Sequence, residues 1–453
     1  MRRRNWAAAA VGIPAVLALA IPLLRGQRAG AEPPPIAKLS GTAAAVLAVA
    51  PPSNALAGLD IGKLEVRDQG AIVPLPDKRT ARLTISPSLQ RTAESVMAEH
   101  HLPEAAVVLM DVETGKILVY ASHLEKGPKR DLAVEATAPA ASVFKMVTGT
   151  ALVERAGLGP DERQCYSGGE QKLMLADLTP DPRRDRWCTT LAGAMGRSIN
   201  TVFARLAVAH LKPAMLDETA KTLGFTQPLP FDLPVQPSAA HFPEDTLGFA
   251  RTAAGFWSTT LSPIHATWLS AAVARGGEPV RPVLVADVVD DGKVEWTAPS
   301  SLAQKRVMKP ETAHAITTMM DNTVADGTSY RAFHDGKGRS FLPGIPVAGK
   351  TGTLTDANAQ RYYTWFTGFA PSRAIEVEDV GDGGAGKQPR KVAFGVLVVN
   401  DPKWTIKANV LAREVLRAYF AEQKMPGVTQ PRTGEPVPTS TAPATKQRLH
   451  RGS

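Results

Sequence analysis

The sequence predicts an α/β domain in which an antiparallel sheet is layered with helices, an all-helical lobe is inserted, and an apolar N-terminal membrane anchor precedes the whole. Three observations carry this. Residues 105–110 and 116–120 are apolar runs joined by the turn Glu113-Thr114-Gly115, the pattern of a hairpin. Residues 345–354, 363–369 and 392–400 are three further strand-like runs, the last uncharged and fit for a central strand. Between the two groups helical periodicity recurs while strand patterns are weak, and a last helix over 408–423 closes the domain.

Taken in order, Arg2, Arg3 and Arg4 precede residues 6–24, which carry no charge and as a helix would span about 28 Å. The arginines favour a cytoplasmic N-terminus. A cleaved signal peptide competes, because Ala29-Gly30-Ala31 resembles a cleavage site. The uncleaved anchor is preferred: the apolar run exceeds the usual ~7–15-residue core of a signal peptide, and Arg25 and Arg28 separate it from that site. Either way the body of the chain is exported. Residues 25–80, rich in Ala, Pro and Gly, read as a stalk or pedestal with room for a short strand or two at 64–66 and 71–75. The folded domain is expected over 81–425, and residues 426–453, dominated by Pro, Thr and Gln, as a disordered tail.

Residues 82–85 read as a strand and 88–100 as a helix with Leu89, Ala93 and Val96 on one face. A helix is expected from Ser142 to the terminator Ala156-Gly157. Residues 160–250 read as helical or irregular, most clearly at 192–210 with an interruption at Arg197-Ser198-Ile199-Asn200. Helical periodicity returns at 259–274 and 311–323, and residues 376–391 read as a long polar hairpin loop.

The net charge of +9 sits mostly at the ends. Arg2, Arg3, Arg4, Arg25 and Arg28 oppose only Glu32, and Arg432, Lys446, Arg448 and Arg451 oppose only Glu435. A nearly neutral body counts against nucleic-acid binding. Export permits Cys165 and Cys188, the only two cysteines, to bond. Closing that loop would stabilise the fold by roughly 3 kcal/mol in the chain-entropy model. Two buried thiols are the alternative. The nine histidines form no ligand-like cluster, and neither a metal nor a cofactor is expected.

Chemistry points first to Ser142-Val143-Phe144-Lys145. A serine three residues before a lysine at a helix start puts both side chains on one face. The first-turn N–H groups and the helix dipole then lie beside the serine oxygen, which suits a nucleophile that must lose a proton. Lys350-Thr351-Gly352-Thr353 lies in a predicted strand, with Lys350 and Gly352 on one face and Thr351 and Thr353 on the other. Gly352 permits close backbone approach there, and a peptide could dock along that strand's edge.

Ser142-x-x-Lys145, Ser198-x-Asn200 and Lys350-Thr351-Gly352 occur in the order and spacing found in penicillin-binding protein transpeptidases and serine β-lactamases, and the chain resembles the monofunctional transpeptidases. Leu83-Thr84-Ile85, Thr114-Gly115-Lys116-Ile117-Leu118, Ser198-Ile199-Asn200-Thr201-Val202-Phe203, Ala274-Arg275-Gly276-Gly277 and Trp365-Phe366-Thr367-Gly368-Phe369-Ala370-Pro371 add to the likeness, which covers about residues 81–423. Ala141 stands where the family often has Gly, Ser86 where an acidic residue is common, and the 372–391 loop is longer than usual.

The resemblance implies a D,D-transpeptidase that cross-links peptidoglycan stem peptides and is acylated by β-lactams. Ser142 would be the nucleophile and Lys145 its base, with Ser198 and Lys350 relaying the proton and Asn200 holding the substrate amide. Thr351, Gly352 and Thr353 would bind substrate, and the Ser142 and Thr353 N–H groups would form the oxyanion hole. About eighty Ala/Pro-rich residues precede the domain and leave no room for a second enzyme core, so a separate glycosyltransferase partner is implied. The expected location is the cell membrane, single-pass, with the domain on the outer side. A D,D-carboxypeptidase, a β-lactamase and a catalytically idle cell-wall scaffold are the rival readings.

Overall fold

The computed structural model describes residues 54–169, 172–299, 304–375, 388–401 and 404–431. The expected anchor, the stalk up to residue 53, most of the 376–391 loop and the tail beyond 431 lie outside the described residues. Among the described residues no helix is long and apolar enough to cross a membrane.

Strands β1 (Glu65–Arg67), β2 (Gly70–Pro74) and β3 (Thr80–Leu83) follow one another antiparallel. The boundary expected at residue 80/81 falls inside β3, and the short strands foreseen in the pedestal belong to the same sheet as the first strand of the domain. Helix α1 (Pro87–Glu99) begins with Pro in its first turn, where a missing N–H is harmless. The hairpin β4 (Glu104–Asp111) and β5 (Ile117–Leu124) follows, then the two-residue strand β6 (Ala138–Pro139).

The segment Ala141–Phe144 is a 3₁₀ turn that runs into α2 (Lys145–Ala156), ended by Gly157 in a left-handed conformation. Ser142 thus sits one turn ahead of the α-helix expected to begin with it. The next stretch contains a hairpin that the sequence pattern did not show, β7 (Arg163–Tyr166) with β8 (Trp187–Thr190), in which Cys165 and Cys188 are cross-strand partners joined by a disulfide. The helical lobe continues with α3 (Leu191–Arg197), α4 (Asn200–His210), α5 (Pro213–Thr222) and α6 (Thr246–Ala253). After β9 (Thr260–Leu261), which pairs with β6, comes α7 (Pro263–Ala274).

A second unforeseen hairpin, β10 (Val285–Asp290) with β11 (Lys293–Thr297), completes the first sheet in the order β1-β2-β3-β10-β11. Helices α8 (Pro310–Ala325) and α9 (Tyr330–Phe333) lead to β12 (Ala348–Asp356), β13 (Arg361–Ala370), β14 (Val392–Asn400) and α10 (Ala408–Glu422). These strands and the first hairpin form an antiparallel sheet in the order β12-β13-β14-β4-β5. β14 is its central strand, and all nine of its residues are buried.

Strand alternation divides the core in two. Val107 and Leu109 of β4, with Phe394, Val396 and Val398 of β14, meet α1 and α10 on one face. Val108, Met110, Ala393 and Leu397 turn to the other face, toward α7 and the helical lobe. Gly395 lets α7 lie directly on the sheet, because a β-carbon there would collide with the Pro263 carbonyl and stand 2.6 Å from the Thr267 hydroxyl. Among the described residues β12 has a strand on one side only, so the Lys350 strand is an edge of the sheet, and Gly352 on it lies beside Ala140 and Ala141.

The Gly395→Ala variant is expected to lose about 2–3 kcal/mol of stability, the upper part of the range for overpacking against backbone. Urea denaturation measures this, and an unchanged midpoint would contradict direct α7-on-sheet packing.

Candidate active site

In a 3₁₀ turn, side chains three residues apart eclipse one another. Ser142 and Lys145 obey this: Lys145 Nζ lies 2.7 Å from Ser142 Oγ. The turn is reached through Ala141, whose φ of +49° is unusual for a residue bearing a β-carbon. Ser142 is partly exposed, whereas the Lys145 side chain is wholly buried.

Lys145 Nζ has two other partners, Asn200 Oδ1 at 2.7 Å and the Ala254 carbonyl at 2.5 Å. Asn200 opens α4, two residues after Ser198, which caps the C-terminus of α3 at a left-handed φ of +59°. Asn200 Nδ2 in turn donates to the Gly169 carbonyl. Ala254 follows α6, and Gly255 lies so close to the Ser142 turn that a β-carbon there would collide with the Ala141 carbonyl.

Lys350 is the second buried amine. Its Nζ donates to Ser198 Oγ at 3.0 Å and to the Thr351 carbonyl at 2.8 Å. Gly352 faces the turn, where a β-carbon would stand 3.2 Å from that of Ala141, so β12 runs alongside the serine. Thr351 is half-buried and Thr353 exposed, on the opposite side of the strand from Lys350 and Gly352. Ser142, Lys145, Ser198, Asn200 and Lys350 therefore come together at the edge of β12. The Cys165–Cys188 disulfide lies on the hairpin that leads into Gly168 and Gly169.

The named partners of both amines are hydroxyl, amide and carbonyl oxygens, none of them a carboxylate. Burial therefore acts against the charged form. It pushes Lys145 well below the usual lysine value, and the nearby Lys350 charge adds to this. Burial alone lowers Lys350 to about 7. A neutral amine has two N–H bonds and one lone pair. At Lys145 the Asn200 amide oxygen and the Ala254 carbonyl can only accept, so they take the two N–H bonds. In that neutral form the lone pair is left facing the Ser142 hydroxyl. Chemically such an arrangement can serve as a hydroxyl nucleophile with a base already in hydrogen-bond contact.

Ala254 and Gly169 were not singled out from the sequence. A glycine after a helical run marks Gly255 as a terminator, but a backbone carbonyl gives no residue-type signal of what it will meet.

A partly exposed serine in contact with a buried lysine, set between a helical lobe and a sheet edge, is an arrangement suited to acyl transfer, and comparison with known proteins gives the family. The family described as penicillin binding protein transpeptidase domain matches residues 105–388, and the chain belongs to that family. Among curated relatives, stage V sporulation protein D of Bacillus subtilis is 26% identical over 323 residues, covering 66% of this chain and 48% of that protein. Peptidoglycan D,D-transpeptidase PbpA of Mycobacterium tuberculosis is 25% identical over 329 residues, covering 65% of each. The chain thus spans from about half to just under two thirds of their lengths. The crystal structure of PBPA from M. tuberculosis superposes with a TM-score of 0.60 at 23% identity, over 75% of this chain and 82% of that one. The D,D-transpeptidase domain of a peptidoglycan glycosyltransferase from Eggerthella lenta also gives 0.60 at 23% identity, over 76% and 83%. The α/β transpeptidase-like fold is shared.

The depressed Lys350 makes stability depend on pH. Between about 7 and 10.5 the unfolded chain holds a proton at this lysine that the folded chain has lost. The unfolded state then binds more protons, so stability rises with pH across that window and levels off below it. Lys350→Met is expected to remove one proton's worth of slope from the pH dependence of unfolding. Urea titrations at several pH values in that window measure it, and parallel slopes for wild type and variant would contradict the depressed amine.

Proposed function

We propose that this chain is a D,D-transpeptidase that cross-links peptidoglycan stem peptides through an acyl-enzyme on Ser142 and is acylated by β-lactams. The observation that carries this reading is the contact of Lys145 Nζ with Ser142 Oγ, with the other two contacts of that nitrogen being acceptors. Lys145 takes the hydroxyl proton as Ser142 attacks the carbonyl carbon. The bond to the leaving D-alanine amine then breaks, and the proton taken by Lys145 is relayed through Ser198 and Lys350, in mutual contact, to that amine. The acceptor amine of a second stem peptide attacks the ester, releases Ser142 and forms the cross-link.

Asn200 holds the substrate amide while orienting Lys145. The Ser142 and Thr353 N–H groups bind the developing oxyanion, each worth roughly 3–4 kcal/mol in measured analogues. Thr351, Thr353 and Lys350 bind the terminal carboxylate of the donor, with Gly352 giving it room. M. tuberculosis PBPA, of the same fold, is known as imipenem and penicillin G acyl-enzyme complexes, which supports the β-lactam part of the reading. The proposed setting is the outer side of the cell membrane, anchored through residues 6–24, with a separate glycosyltransferase supplying the glycan.

A β-lactamase needs a base that activates water against the acyl-enzyme. The named contacts of Lys145, Ser198 and Lys350 bring no glutamate to the serine that could play that part, which favours a long-lived ester instead.

Labelled penicillin followed over time tests the proposal. Wild type is expected to form a stable adduct, Ser142→Ala none, and Lys145→Met to be acylated on the order of 10²–10⁴-fold more slowly, the range for loss of a general base. A folded wild type that takes no label sinks the transpeptidase reading, and rapid loss of label points to a β-lactamase. Incubation with lipid-linked precursor and an acceptor amine separates cross-linking from trimming by a carboxypeptidase.

A further inference from the structure

The loop between α8 and α9 brings one more hydroxyl to the β12 edge. Thr328 is exposed, and its Oγ1 lies 2.6 Å from Thr351 Oγ1. The same residue reaches across to the helical lobe, where its backbone N–H donates to the Gly196 carbonyl at 3.0 Å and its hydroxyl to the same carbonyl at 3.2 Å. Gly196 stands two residues before Ser198. The neighbouring Arg197–Asp326 ion pair, at 2.5 Å, ties α3 to this loop a second time. Thr328 therefore touches both walls of the cleft, the Ser198 side and the Lys350 strand.

The proton count of this cluster has a consequence. Two hydroxyls 2.6 Å apart share one proton, so one donates to the other. The Gly196 carbonyl is satisfied by the Thr328 N–H whichever way the Thr328 hydroxyl turns. That hydroxyl can swing away without leaving a carbonyl unpaired. The two oxygens of a carboxylate are about 2.2 Å apart, close to the spacing of the two threonine hydroxyls, and each can accept one O–H bond in parallel.

We propose that Thr328 is a substrate-binding residue that forms, with Thr351, a two-hydroxyl clamp on the terminal carboxylate of the acyl donor. The inference rests on the transpeptidase reading of the site and deepens it by assigning donor specificity to a residue outside the three motifs. The clamp takes a C-terminal carboxylate and discriminates against the same donor ending in an amide, which is uncharged and sets a donor NH2 where the second acceptor oxygen would be.

The test compares two benzoyl-D-alanyl thioester donors, one whose thiol leaving group ends in a carboxylate (thioglycolate) and one ending in the primary amide. The readout is the ratio of their second-order acylation rate constants. Wild type is expected to favour the carboxylate donor. Thr328→Val, close in shape, is expected to lower the ratio about tenfold, the effect of losing one hydrogen bond to a charged group. Thr328→Ser, which keeps the hydroxyl, is expected to stay within about threefold of wild type. A general loosening of the cleft would slow both donors in parallel and leave the ratio fixed, so an unchanged ratio in Thr328→Val overturns the clamp. A Thr328→Ser variant as impaired as Thr328→Val overturns it equally. If Thr328→Val does not fold, Thr328→Ala at this exposed position is read in the same way. A folded wild type acylated by neither donor overturns the reading of the site itself, whereas an acylated wild type with an unmoved ratio overturns the clamp alone.

Discussion

One nitrogen atom organises the molecule. Lys145 Nζ is sealed from solvent and touches a hydroxyl, an amide oxygen and a backbone carbonyl contributed by three separate parts of the chain. A buried ammonium whose named partners include no carboxylate is disfavoured, so burial shifts the amine toward its neutral form. In the neutral form the geometry is useful, because two of the three partners can only accept and the third then faces the lone pair. Displacing Asn200 or the Ala254 carbonyl would free an N–H and let the amine turn away from Ser142. The placement of α4, the end of α6 and the 3₁₀ turn are therefore parts of one constraint.

The supports of that constraint extend well beyond the motif residues. Asn200 is held from behind by the Gly169 carbonyl, and the next residue, Thr201, donates to the Gly168 carbonyl. Both glycines belong to the excursion that the Cys165–Cys188 disulfide staples at its base. Arg205, on the same helix as Asn200, locks into this excursion through a buried ion pair with Asp185 at 2.7 Å and through the Cys165 and Asp177 carbonyls. Asp185 is lowered to about 2, chiefly by its hydrogen bond to Arg205, so the pair stays ionised at neutral pH. On the other wall, Trp365 Nε1 donates to the Pro139 carbonyl, fixing the approach to Ser142 against the sheet.

The strands and helices that make the large sheet were legible because their pattern is repetitive. Residues 392–400 are an unbroken apolar run, and the structure makes them the central strand with the same bounds. The helix over 408–423 and the break at 197–200 were equally plain, since periodicity and its interruption are local properties. The hairpins β7–β8 and β10–β11 were not read. β7 and β8 are four-residue strands with exposed polar positions, separated by an excursion, and only their cysteines marked them as partners. β10–β11 did carry a signal in Asp291-Gly292, both at positive φ, a turn chemistry that binds two short strands. The five motif side chains were legible as residue types at set spacing, and the structure brings them together. The supporting carbonyls of Ala254 and Gly169 were not, because any residue supplies a carbonyl and only the fold decides where it points. Thr328 escaped for a related reason: a lone threonine in a loop is unremarkable until β12 is laid beside it.

The central claim is that Lys145 is a neutral amine in the resting protein, with its lone pair on Ser142. Side-chain nitrogen NMR of lysine-labelled protein, with Lys145→Arg assigning the resonance, observes this directly. A signal of a neutral amine at pH 7, turning to that of an ammonium only at lower pH, is the predicted result. An ammonium signal at pH 7 that persists toward pH 10 would contradict the account, since a protonated Lys145 has no lone pair to offer the serine.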